Sequence, residues 1–316
     1  MAQFEQLTSA NKRNSVLLVV VFILFICVLG GVLGWALLGD WRFAIPSIFL
    51  ALIVSSISAI IGYYVGPSAV LAMSGARPIA KENDPELYNV VEELSIASGL
   101  PMPALYVVDT PAMNAFATGR DPKHACVAVT SGLRQRLSRD ELQGVLAHEL
   151  SHVQNFDIRF MTLMAVLVGT VVLVADIGAR AIFYGGRGRS RGSSGGSGGG
   201  VLQLIIIVVA IILAIIAPIF AKLIQLAASR QREFLADASG ARLTRYPEGL
   251  ARALEKLAAE TQPMPEASRA TAHLFIVQPL MMNGRRTGGS GESMWSSHPP
   301  IEERIRRLRS LGSMGA

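Results

Sequence analysis

Two long stretches near the N-terminus contain no charged residue. The first runs from Val16 to Leu38 and the second from Phe43 to Val65, and the short segment Gly39-Asp40-Trp41-Arg42 joins them. A helix of about 20 apolar residues is long enough to span the hydrocarbon core of a bilayer. The pattern therefore predicts an N-terminal tail over residues 1–15, followed by a transmembrane helical hairpin over residues 16–65. A cleavable signal peptide is disfavoured, because its apolar run would be only about 7–15 residues long.

Two further apolar stretches lie in the second half of the chain. Phe160 to about Ala181 is interrupted by two charges, whereas Val201 to Ala221 has none, and a Gly/Ser/Arg-rich linker separates them at residues 185–200. We expect a second hydrophobic helical pair over residues 160–221, which brings the total to about four transmembrane helices. The sequence leaves open whether this second pair crosses the bilayer completely.

The polar segments on either side of this second pair predict a domain in two parts, residues 66–159 and 222–316. In the first part, Asp84 to Ser98 has helical periodicity. The segments Ala104–Val108, 114–118 and Ala125–Thr130 predict a small sheet. The fold class is therefore mainly α with a small β-sheet, in the α+β class.

The second part of the domain is predicted to be helical. One helix covers Ser229 to Ala241, and another begins at Pro247 and continues to about Glu260. Residues 261–297 are rich in Gly, Met, Ser and Pro and predict a long mobile loop. A last helix then begins at Pro299 or Pro300.

The clearest chemical signal is His148-Glu149-Leu150-Ser151-His152, a His-Glu-x-x-His motif. Positions i and i+4 share one face of a helix, so both imidazoles can bind one metal ion while Glu149 reaches a water on it. Ser138 and Glu141 form a capping-box pattern that predicts the start of this helix. Zinc peptidases arrange two ligands and a general base in this way.

A catalytic zinc site normally has a third protein ligand. Three other histidines are present, at positions 124, 273 and 298, but Glu233 is the better candidate because it follows the fourth apolar block directly. Asp237 lies one helical turn later and could hold a ligand histidine through its second ring nitrogen. A solvated charged face is the alternative explanation for both carboxylates.

Composition and charge restrict the function classes. The chain is 51% hydrophobic and 16% charged, with a formal net charge of +6. The basic residues are dispersed and flank the apolar blocks, so they predict membrane anchoring and no nucleic-acid binding. Lys12 and Arg13 before the first apolar block weakly favour a cytoplasmic N-terminus and a cytoplasmic domain. Cys27 and Cys126 predict neither a disulfide framework nor a thiolate metal site.

Taken together, these motifs resemble the HtpX-type membrane zinc metalloproteases, relatives of the CAAX prenyl proteases. The resemblance rests on residues 114–119, on the His148 motif with Asp157 after it, on residues 232–238, and on His298-Pro299-Pro300 with Arg304. Their order and their interleaving with the apolar blocks extend it over nearly the whole chain. It implies a zincin-like metalloprotease domain joined to about four transmembrane helices.

The resemblance also implies roles for individual residues. His148, His152 and Glu233 would bind one Zn²⁺ per chain, with Glu149 as the catalytic base. Asp237 and Asp157 would support the ligands, the latter by capping or bracing the ligand helix. His298 or Arg304 would stabilise the oxyanion. The segment Asn114, Ala115, Phe116 and Ala117 would be an edge strand that binds extended substrate as an added strand.

The expected function is hydrolysis of misfolded or damaged membrane proteins by a multi-pass enzyme of the inner cell membrane, with its catalytic domain in the cytoplasm. A metal transporter is disfavoured because the motif precedes an apolar block instead of lying within it. An inactive scaffold would not need Glu149. A protease for prenylated C-terminal peptides would have more than four membrane helices. Mn²⁺ or Co²⁺ could occupy the same ligands in vitro, and the oligomeric state is not encoded in any pattern we find.

Overall fold

The computed structural model of the chain describes residues 2–38, 40–167, 230–264, 271–277 and 299–314. The fourth predicted apolar block, the linker at 185–200 and most of the third block lie outside the described residues. Whether the second hydrophobic pair spans a membrane therefore stays a prediction.

The N-terminal hairpin consists of α1 (Ala2–Leu38) and α2 (Ala44–Met73), joined through a 3₁₀ turn at Trp41–Phe43. The Asp40 carboxylate accepts a hydrogen bond from the Arg42 amide and caps this turn. Within the described residues, two helices are long and apolar enough to cross a membrane, Thr8–Val32 and Trp41–Met73. Most of their apolar side chains face outward, as expected for lipid contact and not for a buried core helix.

The predicted tail at residues 1–15 is wrong. Helix α1 begins at Ala2, and Asn11 and Ser15 are buried on it. Polar side chains interrupt the apolar run in this part of α1, so a search for apolar runs misses the helix, although two of them, Asn11 and Ser15, are buried. Helix α2 likewise continues to Met73, past the predicted end at residue 65.

A four-stranded sheet follows the hairpin, with strands β1 (Ala76–Pro78), β2 (Ala104–Val108), β3 (Ala115–Gly119) and β4 (Ala125–Thr130). Their order in the sheet is β1-β2-β4-β3. Strands β2 and β4 are parallel, whereas β1 and β3 pair antiparallel with their neighbours. Strand β3 therefore lies at one end of the sheet.

Seven further helices are described, and most agree with the sequence prediction. They are α3 (Pro85–Ser98), α4 (Ser131–Arg136), α5 (Arg139–Gln154), α6 (157–167), α7 (Arg230–Thr244), α8 (Pro247–Ala258) and α9 (Ile301–Met314). Ser138 caps α5 with the predicted capping box: its side chain accepts from the Glu141 amide, and the Glu141 side chain accepts from the Ser138 amide. The start of the motif helix is thus encoded locally.

The sheet has an apolar layer on each face. One face, including Leu105, Ala115 and Val127, packs against helices α3, α5, α8 and α9. The other face, including Phe116 and Ala128, packs against the end of α2 and against α6. The membrane hairpin and the metal-motif helix therefore meet at the same small sheet.

The prediction of one long mobile loop over residues 261–297 is wrong for residues 271–277. This segment forms a 3₁₀ turn at Ala272–Leu274 and then pairs with β3, with Phe275 opposite Phe116. The two phenyl rings meet edge to face, 5.0 Å between centroids. The consecutive apolar residues Leu274 to Val277 are all buried, which gives the segment enough apolar area to hold it on the domain.

Candidate metal centre

Three buried side chains converge between helices α5 and α7. His148 and His152 come from consecutive turns of α5, and Glu233 comes from the first turn of α7. One ligand atom of each lies within 4.8 Å of the others. The two Nε2 atoms are 3.2 Å apart, and Glu233 Oε1 lies 3.5 Å from His152 Nε2. Two imidazoles and a carboxylate fit a catalytic metal site with one position left for water.

A glycine on α7 allows the two ligand helices to approach closely. A Cβ atom added to Gly240 would lie 3.0 Å from the backbone nitrogen of His148. Such a contact would force the two helices apart by a few tenths of an ångström. Gly240 therefore helps set the separation between the histidines and Glu233.

The Nδ1 atom of each ligand histidine contacts the carboxylate of an aspartate. Asp237 Oδ1 lies 2.9 Å from His148 Nδ1, and Asp157 Oδ2 lies 3.0 Å from His152 Nδ1. These contacts fix the ring orientation and leave both Nε2 atoms to face the metal position. From the sequence we predicted that Asp237 contacts a ligand histidine, and in the structure it contacts His148. For Asp157 we predicted a bracing role on the helix, and the structure shows a direct contact with His152.

Arg304 is the largest fully buried side chain in the described part of the protein. Its guanidinium donates two hydrogen bonds to the Asp237 carboxylate, at 2.8 and 2.7 Å, and one to the Ile276 carbonyl at 3.1 Å. Nη1 also lies 3.7 Å from Glu233 Oε2. The C-terminal helix α9 is thus tied to the metal-binding helices through one side chain.

Burial and charge shift the pKa values of this cluster in different directions. Burial raises the pKa of Glu149 to about 7, although His152 opposes the shift. Burial lowers the pKa of His148. Burial would also lower the pKa of His152, but Asp157 and the neighbouring Glu233 raise it to about 9. Arg304 and His148 outweigh the burial of Asp237 and lower its pKa to about 2. Asp237 therefore remains a carboxylate at neutral pH.

Glu149 lies between the metal-binding face of α5 and the edge of the sheet. Its carboxylate accepts a hydrogen bond from the backbone amide of Ala117 on β3. The side chain is buried, and a pKa near 7 allows it to take up and release a proton at neutral pH.

The outer edge of β3 is paired with residues 275–277 in this conformation, so the predicted substrate-binding segment at residues 114–117 is covered. The Ile276 amide donates to the Ala115 carbonyl at 2.9 Å, and the Asn114 side-chain amide donates to the Val277 carbonyl at 2.9 Å. Residues 271–277 are more than 150 positions away in sequence, and no local pattern encodes this pairing.

The sequence-predicted residues differ in where they lie. The structure brings together His148, Glu149, His152, Asp157, Glu233, Asp237 and Arg304, with Asn114 to Ala117 beside them. His298 lies outside the described residues. His273 contacts the Met161 carbonyl and His124 contacts Asp121, so neither faces the metal-binding cluster.

The sequence analysis missed two residues, Asn11 and Ile276, that contact the site or the side chains supporting it. Only contacts between distant segments of the chain bring them there.

Comparison with known proteins agrees with this geometry. Residues 81–312 match the model of peptidase family M48. The chain belongs to this family. Among M48 relatives, the "Protease HtpX homolog" of Tropheryma whipplei (strain Twist) is 46% identical, covering 96% of this chain and 97% of its own. That of Dictyoglomus turgidum is 42% identical (98% and 95%), and that of Streptococcus uberis is 40% identical (97% and 99%).

Among solved structures, the crystal structure of S. mikatae Ste24p aligns with a TM-score of 0.48 and 19% identity. The alignment covers 96% of this chain and 66% of that one. The family match and the HtpX relatives confirm the resemblance found in the sequence, and the mainly helical fold with a small sheet is confirmed too. As a member of M48, the chain is a metalloprotease, and its HtpX relatives and two candidate membrane-spanning helices support a membrane protein.

Proposed function

We propose that this M48 member is a zinc endopeptidase that cleaves misfolded or damaged membrane proteins, with Glu149 as the general base. The observation that carries the proposal is the convergence of His148, His152 and Glu233, with the Glu149 carboxylate next to them. The ligand set favours zinc, because two imidazoles and one carboxylate with an open position are a catalytic zinc arrangement. Mn²⁺ or Co²⁺ could also bind to these three ligands in vitro.

Each group of residues in the site has a separate role in the proposed reaction. Zinc held by the three ligands would polarise the attacking water and lower its pKa towards about 7. Glu149 would accept a proton from the attacking water and donate it to the leaving amine. The amide of Ala117 holds the Glu149 carboxylate in place, which restricts the base to one orientation.

Arg304 and His298 are the proposed stabilisers of negative charge on the substrate carbonyl oxygen. Arg304 Nη2 is already 3.5 Å from the His148 ring and is bonded to Asp237. We therefore assign Arg304 first to positioning Asp237, with its positive charge as a second contribution that favours the oxyanion. His298 precedes α9 by three residues and would approach the site from the same C-terminal segment.

Strand β3 is the proposed binding surface for an extended substrate. Hydrogen bonds from a strand edge recognise the peptide backbone, so this mode accepts unfolded segments of many sequences. At present, residues 275–277 make the backbone contacts that a substrate strand would make with Asn114 and Ala115. Substrate would have to displace this segment, which makes loading of the site a step that can limit the rate.

The hairpin supports a location at the membrane surface. Asn11, near the start of α1, contacts Asp157 of the protease domain, so the N-terminus and this domain lie on the same side of the bilayer. Lys12 and Arg13 follow Asn11, and positive charge favours the cytoplasmic side. We therefore propose a multi-pass protein of the inner membrane with its protease domain in the cytoplasm.

The test is cleavage of an unfolded membrane protein by detergent-purified enzyme, comparing wild type with Glu149→Gln and measuring zinc in both. We expect one zinc per chain in each and cleavage by the wild type alone. Glu92→Gln, an exposed change on α3, is the matched control and should cleave like the wild type. Equal cleavage by wild type and Glu149→Gln would refute the assignment of the base.

A further inference from the structure

Asn11 is a buried polar residue in a helix that otherwise continues into the membrane. It lies in the first third of α1, and its side chain is only 2% exposed. A buried amide must be paired, because leaving its hydrogen-bonding groups unsatisfied costs roughly 1–3 kcal/mol. Its partners therefore indicate what this part of the helix is built to contact.

In the described part of the protein, the partners of the Asn11 side chain lie next to the metal-binding cluster. The side-chain nitrogen donates to Asp157 Oδ1 at 2.5 Å and to the Asn155 carbonyl at 3.0 Å. The side-chain oxygen accepts from Arg232 Nη1 at 3.2 Å. Asn155 caps the end of α5, and Arg232 immediately precedes Glu233 on α7. One amide thus joins the N-terminal helix to both ligand-bearing helices.

The contact with Asp157 is the one that reaches a ligand. Asp157 Oδ2 holds His152 Nδ1 at 3.0 Å, while Oδ1 is held by Asn11. A carboxylate fixed at both oxygens cannot rotate, so the imidazole bonded to it keeps one orientation. Arg232 lies 3.5 Å from the same Oδ1 atom and partly balances the charge of the carboxylate.

We propose that Asn11 is a positioning residue of the metal centre, acting on His152 through Asp157. The N-terminal membrane helix is then a structural component of the active site as well as an anchor. Replacing a residue that hydrogen-bonds to a metal ligand typically lowers metal affinity or activity about 10–100-fold. Asn11 is one contact further from the metal, so we expect the lower end of that range.

Three variants of α1 separate positioning from helix docking. Asn11→Ala removes the amide, and Asn11→Asp keeps the oxygen that faces Arg232 but places a carboxylate against Asp157. Leu18→Ala is the matched control, because Leu18 is buried on the same helix and contacts the apolar cluster around Phe160 without touching the polar network. It should weaken the packing of α1 while leaving Asp157 held.

The measurements are zinc affinity by chelator competition, the visible spectrum of the Co²⁺-substituted protein, and the melting temperature, all on full-length protein in detergent. We expect about tenfold weaker zinc binding for Asn11→Ala, a larger loss for Asn11→Asp, and a shifted Co²⁺ spectrum in both. Leu18→Ala should lower the melting temperature but retain wild-type zinc affinity and spectrum.

The inference rests on the proposed metal site, and the experiment distinguishes the two failures. If the wild type binds neither Zn²⁺ nor Co²⁺, the proposed function fails. If the wild type binds metal and both Asn11 variants match it in affinity and spectrum, only the positioning role is overturned. The same conclusion follows if Leu18→Ala weakens zinc binding as much as Asn11→Ala does.

Discussion

Asp237 Oδ1 lies 2.9 Å from His148 Nδ1. Asp237 itself follows the third predicted ligand, Glu233, by one helical turn. The same carboxylate accepts two hydrogen bonds from Arg304. Asp237 therefore joins the motif helix α5 to the C-terminal helix α9, and it does so at the first metal ligand.

Asp237→Asn should weaken zinc binding about 10–100-fold. The amide keeps the shape of the side chain but loses the charge that orients His148 and balances Arg304. Chelator competition measures the affinity, with Asp140→Asn, an exposed change at the start of α5, as the control. Wild-type affinity in Asp237→Asn would show that the carboxylate charge does not support the ligand.

Arg304→Met should destabilise the protein by about 3–5 kcal/mol, because it leaves the buried Asp237 carboxylate without its bidentate partner. Denaturant unfolding in detergent provides the measurement. Arg306→Met on the exposed face of α9 should stay within about 0.5 kcal/mol of wild type. Equal stability of the two variants would mean that the ion pair contributes nothing to the fold.

Ile276→Pro should increase cleavage of an unfolded protein up to about fivefold, because proline removes the amide that donates to Ala115 and one hydrogen bond is worth about 1 kcal/mol. The preceding residue, Phe275, already has φ −77° and ψ 145°, which a following proline tolerates. Ile276→Val keeps the amide and serves as control. Unchanged or reduced kcat/KM in a folded Ile276→Pro protein would indicate that substrate does not compete with this segment.

The local sequence predicts the structure well where neighbouring residues determine it. The capping box at Ser138, the strand Ala104–Val108 and the i, i+4 histidines each depend on residues within one or two turns. The same holds for Glu233 and Asp237, which share a face of one helix. These short-range patterns place the two histidines on one helix and the two carboxylates on another, but a solvated charged face stayed an alternative for Glu233 and Asp237, because only the long-range contact between the helices brings the four side chains together.

What the sequence did not predict depends on contacts between distant segments. Asn11 is buried only because Asp157 and Arg232 lie around it, and residues 271–277 are ordered only because β3 offers them an edge. Hydrophobic periodicity does not encode such partners. The strand order β1-β2-β4-β3 was unpredicted for the same reason.

The acid stability of the domain should depend on Glu141. Burial would raise its pKa, but the Lys256 ammonium at 2.6 Å and the Ser138 amide hold the pKa below the usual 4.5. A lowered folded-state pKa means that the carboxylate stabilises the fold above pH 4.5 and that this contribution is lost as the pH falls through the folded pKa. Glu141→Gln should therefore cost about 1–3 kcal/mol at pH 7.

The difference between wild type and Glu141→Gln should shrink as the pH is lowered from about 5 towards about 3. Thermal unfolding at a series of pH values measures it. Glu92→Gln, which removes an exposed carboxylate paired with Lys81, should run parallel to wild type throughout. A constant gap between wild type and Glu141→Gln at all pH values would contradict the assignment.

X-ray absorption at the zinc edge of the purified protein tests the three-ligand metal site directly. We expect a first shell of nitrogen and oxygen at about 2.0–2.1 Å, with two imidazoles in wild type and one in His152→Ala. A sulfur shell at about 2.3 Å, or an unchanged imidazole count in His152→Ala, would contradict a site built from His148, His152 and Glu233.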